Sequence, residues 1–190
     1  MSENEIEQLV DRARRGDDSA FSALYDAFAP RVYRFFRFRV ETDEAAEDLT
    51  QRVFLKMIEQ LAHYQSRGVP FAAWLFRVAR NAWIDEHRLS RSNVPLEALA
   101  DTAGEDAGPE ELATQAFDWE ILRRELGHLP ADQREVIACR FFAGLSPRET
   151  AAQMGRSEGS VRVLQHRALA ALRRRVGPVV GLTGDEEGAA

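Results

Sequence analysis

The stretch RSEGSVRVLQHRALAALRRR, residues 156–175, gathers six arginines at helical spacing inside a chain of 190 residues whose formal charge is −6. A guanidinium is a permanent cation carrying five donors in a rigid fork, so the chemistry open to such a cluster is recognition of phosphate and of the acceptor edge of guanine. Covalent chemistry has no comparable signal. The sequence pairs no nucleophile with a base and shows neither a phosphate-binding Gly loop nor a Cys/His cluster at ligand spacing, so no metal, cofactor or catalytic residue is expected.

The arginines are concentrated rather than dispersed. Residues 133–176 hold nine Arg against three acids, whereas residues 92–125 hold nine acids against Arg123 and Arg124. A negative total therefore hides a basic face, and local clustering sets the electrostatic footprint on a nucleic acid. The single cysteine, Cys139, excludes an internal disulfide framework and reads as a small buried apolar residue. No apolar run approaches the roughly 18 residues of a spanning helix, and the start MSENEIEQL is acidic where a secretory signal would be basic. A cytoplasmic protein without membrane insertion is expected.

The elements that must position the arginines are helices. Gly is absent from 17 to 67, and Phe21, Leu24, Phe28, Val32 and Phe35/Phe36 recur at steps of three and four. The periodicity predicts helices at about 4–15, 18–40 with a possible bend at Pro30, 43–62 and 70–90. Residues 91–114 combine Pro, Gly and many acids with little periodicity and read as an acidic flexible linker. Helical periodicity then returns at Phe117, Ile121, Leu122 and Leu126 and runs to about 176, and the tail 178–190 reads as disordered. The expected fold is all-α, with two small helical domains at 5–90 and 115–177.

Within the second domain, LSPRETAAQMGRS is closely punctuated. Ser146 with Glu149 three residues later makes a capping box, Pro147 suits the first helical position, Gly155 closes the short helix, and Ser157 can cap the next. That is the sequence form of a helix-turn-helix. On the second helix Val161, Leu164, Ala168, Ala171 and Leu172 share a buried stripe. Arg162, His166 and Arg173 lie opposite, flanked by Val163 and Leu169, with Arg156 and Ser160 near the N-terminus that would enter a major groove.

The first domain carries two further patterns. In AEDLTQRVFLKMIEQL, Ala46, Leu49, Val53 and Met57 face a core, while Asp48, Gln51, Arg52, Leu55 and Glu59 form a polar strip with one exposed Leu, a composition suited to a protein interface. In PFAAWLFRVARNAWIDEHR, Phe71, Trp74, Leu75, Val78 and Ala82 read as buried. Arg77, Arg80, Ile84 and Arg88 face outward, with Asn81 and Trp83 at the margins. Cations interleaved with aromatics suit single-stranded nucleic acid, and the loop HYQSRGV adds Tyr64 and Arg67. Two rival classes are disfavoured on these residues: a dimeric helix-turn-helix regulator reading a palindrome in duplex DNA has no need of the patterns at 46–61 and 71–88, and an enzyme acting on nucleic acid lacks an acid, base or metal constellation.

The order AEDLTQRVF, FAAWLFRVARNAWIDEHR, LPADQREVIACRFFAGLSPRETAAQMGRSEGSVRVLQHRALAALRR resembles bacterial sigma factors of the extracytoplasmic-function (ECF) group, of the sigma-70 family, across residues 5–90 and 117–176. The resemblance implies that Asp48, Gln51, Arg52 and Leu55 dock on the clamp helices of the largest subunit of RNA polymerase core, with the second domain on its flap. Many members carry an acid where this chain has Arg52. It implies that Arg77, Arg80, Asn81, Asp85 and Arg88, with Tyr64, Ser66 and Arg67, bind the minus-ten element and hold an extruded base. Arg140, Arg156, Ser157, Ser160, Arg162, Val163, His166, Arg167 and Arg173 would read the minus-thirty-five element as duplex. Promoter DNA, the polymerase core and an anti-sigma factor are the implied partners of a chain that is monomeric when free and joins the nucleoid with the polymerase. Two reading surfaces on one linker should bind promoters poorly until the core fixes their separation. Each phosphate contact should then add a slope of about −0.9 in log K against log salt.

Overall fold

The computed structural model describes residues 1–65, 68–93 and 121–176, and these are helical with short connections. The N-terminal half contains α1 (Glu3–Ala13), α2 (Asp18–Arg37), α3 (Asp43–Leu61) and α4 (Phe71–Asn93). The C-terminal half contains α5 (121–127), α6 (Ala131–Ile137), a π-helical turn (Ala138–Phe142), α7 (Pro147–Met154) and α8 (Glu158–Val176). The acidic segment and the tail lie outside the described residues.

Local chemistry fixes where the first helices begin. Ser2 and Glu5 form a capping box on α1, and Thr42 accepts from the Ala45 amide to start α3. Asp17 accepts from the Ser19 and Ala20 amides at the start of α2, and Arg12 closes on it at 2.8 Å. The Ser19 hydroxyl, the Arg12 side chain and the Ala20 amide together lower the Asp17 carboxyl to about 2. α2 continues through Pro30 without interruption, where the sequence left room for a bend, and ends at Arg37 rather than near 40.

Packing covers the first half of α4 on more than one side. The expected inward face of Phe71, Leu75, Val78 and Ala82 is buried, and so are Ala72, Ala73, Phe76 and Ala79, whose positions extend the apolar surface well around the helix. Phe76 meets Phe35 of α2 at 5.4 Å between ring centroids, and Phe71 meets Phe28 at 5.3 Å, both edge to face. Small alanines let α2 and α3 approach one side of α4 while α7 packs on another. The alternating pattern identified one face of α4; the second face depends on partners that periodicity does not specify.

The two halves share one continuous core. Phe38, just past α2, stacks on Phe142 of the π-helical turn at 4.9 Å with the rings 3° from parallel, and α4 lies against α7. Buried Leu126, Val136, Ala143, Leu145 and Val161 belong to the same apolar cluster as the phenylalanines of α2. The two helical domains expected from the sequence are both present, and in this structure they also pack directly on each other.

Candidate nucleic-acid interface

The helix-turn-helix forms as its caps dictate. Ser146 Oγ accepts from the Glu149 amide at 3.1 Å, and Glu149 Oε2 accepts from the Ser146 amide at 2.7 Å. Gly155 ends α7 with φ 65° and ψ 36°, the left-handed conformation that glycine adopts without a Cβ penalty, and its N–H reaches the Ala151 carbonyl. Ser157 Oγ accepts from the Ser160 amide at 3.2 Å and starts α8. Ser146→Ala should cost about 1 kcal/mol of stability in urea unfolding and hasten exchange of the Glu149 amide hydrogen.

α8 buries Val161, Ala168 and Leu172 and half-buries Leu164 and Ala171, the stripe anticipated from its periodicity. The opposite surface is open. Arg162, Val163, His166, Arg167, Leu169 and Arg173 are exposed, with Val163 at 50% and Leu169 at 41%. Arg162 has only a loose contact at 4.0 Å with Glu158. Arg156 is paired with Asp132 of α6, which anchors it beside the turn. Arg140, placed with this group from sequence, is instead an internal strut: Nε donates to Gln165 Oε1 at 3.1 Å and Nη1 to the Leu145 carbonyl. It positions α8 against the π-helical turn.

α3 presents Asp48, Gln51, Arg52 and Leu55 to solvent, the last 61% exposed, with Ile58 at 53% extending the apolar part of the strip. Arg52 is tied to Glu86 of α4, and Lys56 lies 3.6 Å from Asp85. These pairs fix α3 to α4 along their exposed edge. Beside the strip, Tyr25, Asp26, Pro30, Tyr33, Glu47 and Gln51 line a groove of about 440 Å³ between α2 and α3.

On α4, Arg77, Arg80, Asn81, Asp85 and Arg88 are all exposed. Tyr64 is not available as a loop side chain: it is 5% exposed, donates to the Val69 carbonyl at 2.9 Å, and packs on Phe71 and Trp74. Ser66 and Arg67 lie outside the described residues.

Sequence reasoning missed a second set of charged residues, at the junction of the halves. Arg39 lies 3.6 Å from the Phe35 ring centroid and pairs with Glu135 of α6 at 2.6 Å. Burial alone pushes the Glu135 carboxyl up, but the Arg39 charge, hydrogen bonds from Gln153 and Arg39, and the Arg80 charge outweigh it and hold the carboxyl below its ordinary value. Burial also raises the Cys139 thiol well above its usual range, so the group stays protonated and donates toward Gln153 Oε1 at 3.4 Å. The available signal was the run RVYRFFRFR, in which arginines enter an otherwise apolar face of α2 and so require acceptors from elsewhere.

Two family models match the chain: Sigma-70 region 2 over residues 24–92, and Sigma-70, region 4 over residues 126–174. Over 182 residues it is 37% identical to the ECF RNA polymerase sigma factor SigD of Mycobacterium tuberculosis, a match covering 93% of this chain and 86% of that one. Over 169 residues it is 34% identical to the ECF RNA polymerase sigma factor BldN of Streptomyces coelicolor, covering 88% and 64%. Among solved structures, CnrH in complex with the cytosolic domain of CnrY aligns with a TM-score of 0.66 at 23% identity, over 95% of this chain and 99% of that one. The sigma factor RpoE of Bartonella quintana, in complex with the anti-sigma factor NepR, aligns at 0.59 and 23%, over 82% and 96%. These two likenesses concern the fold.

Regions 2 and 4 on an all-helical scaffold define a sigma-70-type factor for initiating transcription, a class that confers promoter choice and is not itself the catalyst. Within that class, the chain belongs to the ECF RNA polymerase sigma factors. Among the described residues no helix is long and apolar enough to cross a membrane, and no group of three or more His, Cys, Asp or Glu could hold a metal ion.

Proposed function

We propose that the exposed strip of α3 docks this sigma factor on the clamp helices of RNA polymerase core, that α4 binds the opened minus-ten element, and that α8 reads the minus-thirty-five duplex. The observation that carries the reading is the undivided exposed face of α8, where Arg162, His166 and Arg173 stand over a buried stripe directly behind a capped helix-turn-helix. Arg162 and Arg167 supply donors for base edges and phosphates, Ser157, Ser160 and Val163 shape the entering end, and Arg156 is oriented by Asp132. Arg77, Arg80, Asn81, Asp85 and Arg88 form the single-strand surface of α4. The domains that carry these roles span 5–90 and 115–177, on either side of the acidic segment.

Two solved relatives of the same fold carry a bound partner, and one of those partners is named an anti-sigma factor. We extend this to an anti-sigma partner for the present chain and to a cytoplasmic site of action. The decisive experiment is transcription from candidate promoters with purified core, with and without the protein, beside the double variant Asp48→Ala/Gln51→Ala. Core-dependent initiation that the variant loses supports both the activity and the docking strip. Tight duplex binding by the protein alone, with no effect of core, would leave only the helix-turn-helix standing.

A further inference from the structure

Two large apolar side chains of α8 remain in water, Val163 and Leu169, and their positions differ. Turning the helix by about 100° per residue puts Leu169 at the margin of the outward face, beside half-buried Gln165. Val163 falls near the middle of that face, opposite the buried stripe, with exposed Arg162 and Arg167 on either side. The arginines account for attraction to phosphate and to purine acceptors. They give no role to a hydrocarbon group set between them.

The preceding turn keeps that group uncovered. A helical side chain leans toward the N-terminus, over the residues three and four positions earlier, which for Val163 are Ser160 and Gly159. A Cβ built on Gly159 would meet nothing within 4 Å, so no packing requires a glycine there. Nor does the backbone, since positive φ occurs at Gly16, Gly68, Gly144 and Gly155 and not at Gly159. A glycine in the first turn of α8 therefore forgoes helix propensity and leaves an open notch next to the Val163 methyls.

We infer that Val163 and the notch over Gly159 seat the C5-methyl group of one thymine, so that this chain distinguishes thymine from cytosine at one step of the duplex. Thymine is the one base that displays a methyl in the major groove, and an apolar side chain is the group that senses it. The inference rests on the reading of α8 as the minus-thirty-five surface and deepens it: guanidinium donors select acceptors, whereas Val163 selects a hydrocarbon that they cannot detect.

The test uses holoenzyme reconstituted from the full chain and purified core, on a promoter active in the transcription assay, with the block around minus thirty-five randomised. The sequences retained by the wild type are read, and each thymine of the retained block, in either strand, is replaced singly by deoxyuridine. That change keeps every hydrogen-bonding group and removes only the methyl. One thymine should respond, with binding weakened about fourfold in competition with the unmodified duplex, the value of one buried methyl group. Val163→Ser should bind the two duplexes equally, and Val163→Ile should keep the difference; the position is exposed, and circular dichroism checks that both variants retain their helices. If no thymine responds, or if Val163→Ser leaves the response intact, the methyl seat is overturned. Arg162→Ala separates that failure from a wider one. A relaxed sequence preference in this variant leaves α8 as the reading helix and only the seat lost, whereas an unchanged preference removes both.

Discussion

Phe35→Ala should lower the free energy of unfolding by about 3–5 kcal/mol. The ring is fully buried, lies edge to face with Phe36 at 5.5 Å and Phe76 at 5.4 Å, and serves as the platform on which Arg39 rests. Truncation leaves a void between α2 and α4 and also strips the face beneath a buried cation. Phe35→Leu retains most of the volume and should cost under about 1.5 kcal/mol if the neighbours repack. Urea denaturation of both variants separates the two effects. A loss under about 1 kcal/mol for the alanine variant would mean that the α2–α4 contact is not the centre of the core.

Removing the cations around Glu135 should have an effect of similar size on the closed arrangement, read in its pH dependence. Breaking a buried ion pair by deleting one partner costs about 3–5 kcal/mol when the remaining charge has no escape. Here it has one, because separation of the halves returns the carboxylate to water, so the cost appears as opening and not as unfolding. The charged groups facing Glu135 are Arg39 from the turn after α2 and Arg80 from α4, with Gln153 and the protonated Cys139 as neutral partners. In the wild type the carboxyl is lowered on closure. Its contribution is complete above the ordinary glutamate range and is lost only as pH falls through the lowered value, so compactness should be constant from about pH 5 to 8. In Arg39→Met/Arg80→Met burial acts without the two charges and raises the carboxyl instead. Closure then takes up a proton, is favoured at the acid end of the same window, and weakens as pH rises. Scattering radii measured across the window should be flat for the wild type and increase with pH for the variant. A flat profile for both would mean that Glu135 does not leave water on closure.

The contrast between these residues and the helix-turn-helix explains what could be read from the chain. Ser146, Pro147, Glu149, Gly155 and Ser157 act on neighbours within a few positions, so their order specifies their geometry, and the structure shows the capping box and the left-handed glycine that the order implies. The buried stripe of α8 and the core face of α3 are legible for the same reason: helical period is local. Arg140 and Tyr64 show how far exposure depends on what arrives from elsewhere. Arg140 is claimed by Gln165, 25 residues on, and Tyr64 is covered by Phe71 and Trp74. Arg39 finds Glu135 across 96 positions and Arg31 finds the Ala143 carbonyl across 112, distances over which spacing carries no information. An arginine on an apolar helical face does announce that an acceptor must exist. It does not say where.

The proline that α2 accommodates has an effect beyond the helix itself. Pro30 has no amide hydrogen, so the carbonyl four residues earlier, on Asp26, receives no bond from it, and both residues line the groove between α2 and α3 beside the exposed strip. The helix thus gives up one rung of its hydrogen-bond ladder at the place where its surface borders the groove, and the ladder on either side of Pro30 carries the helix through.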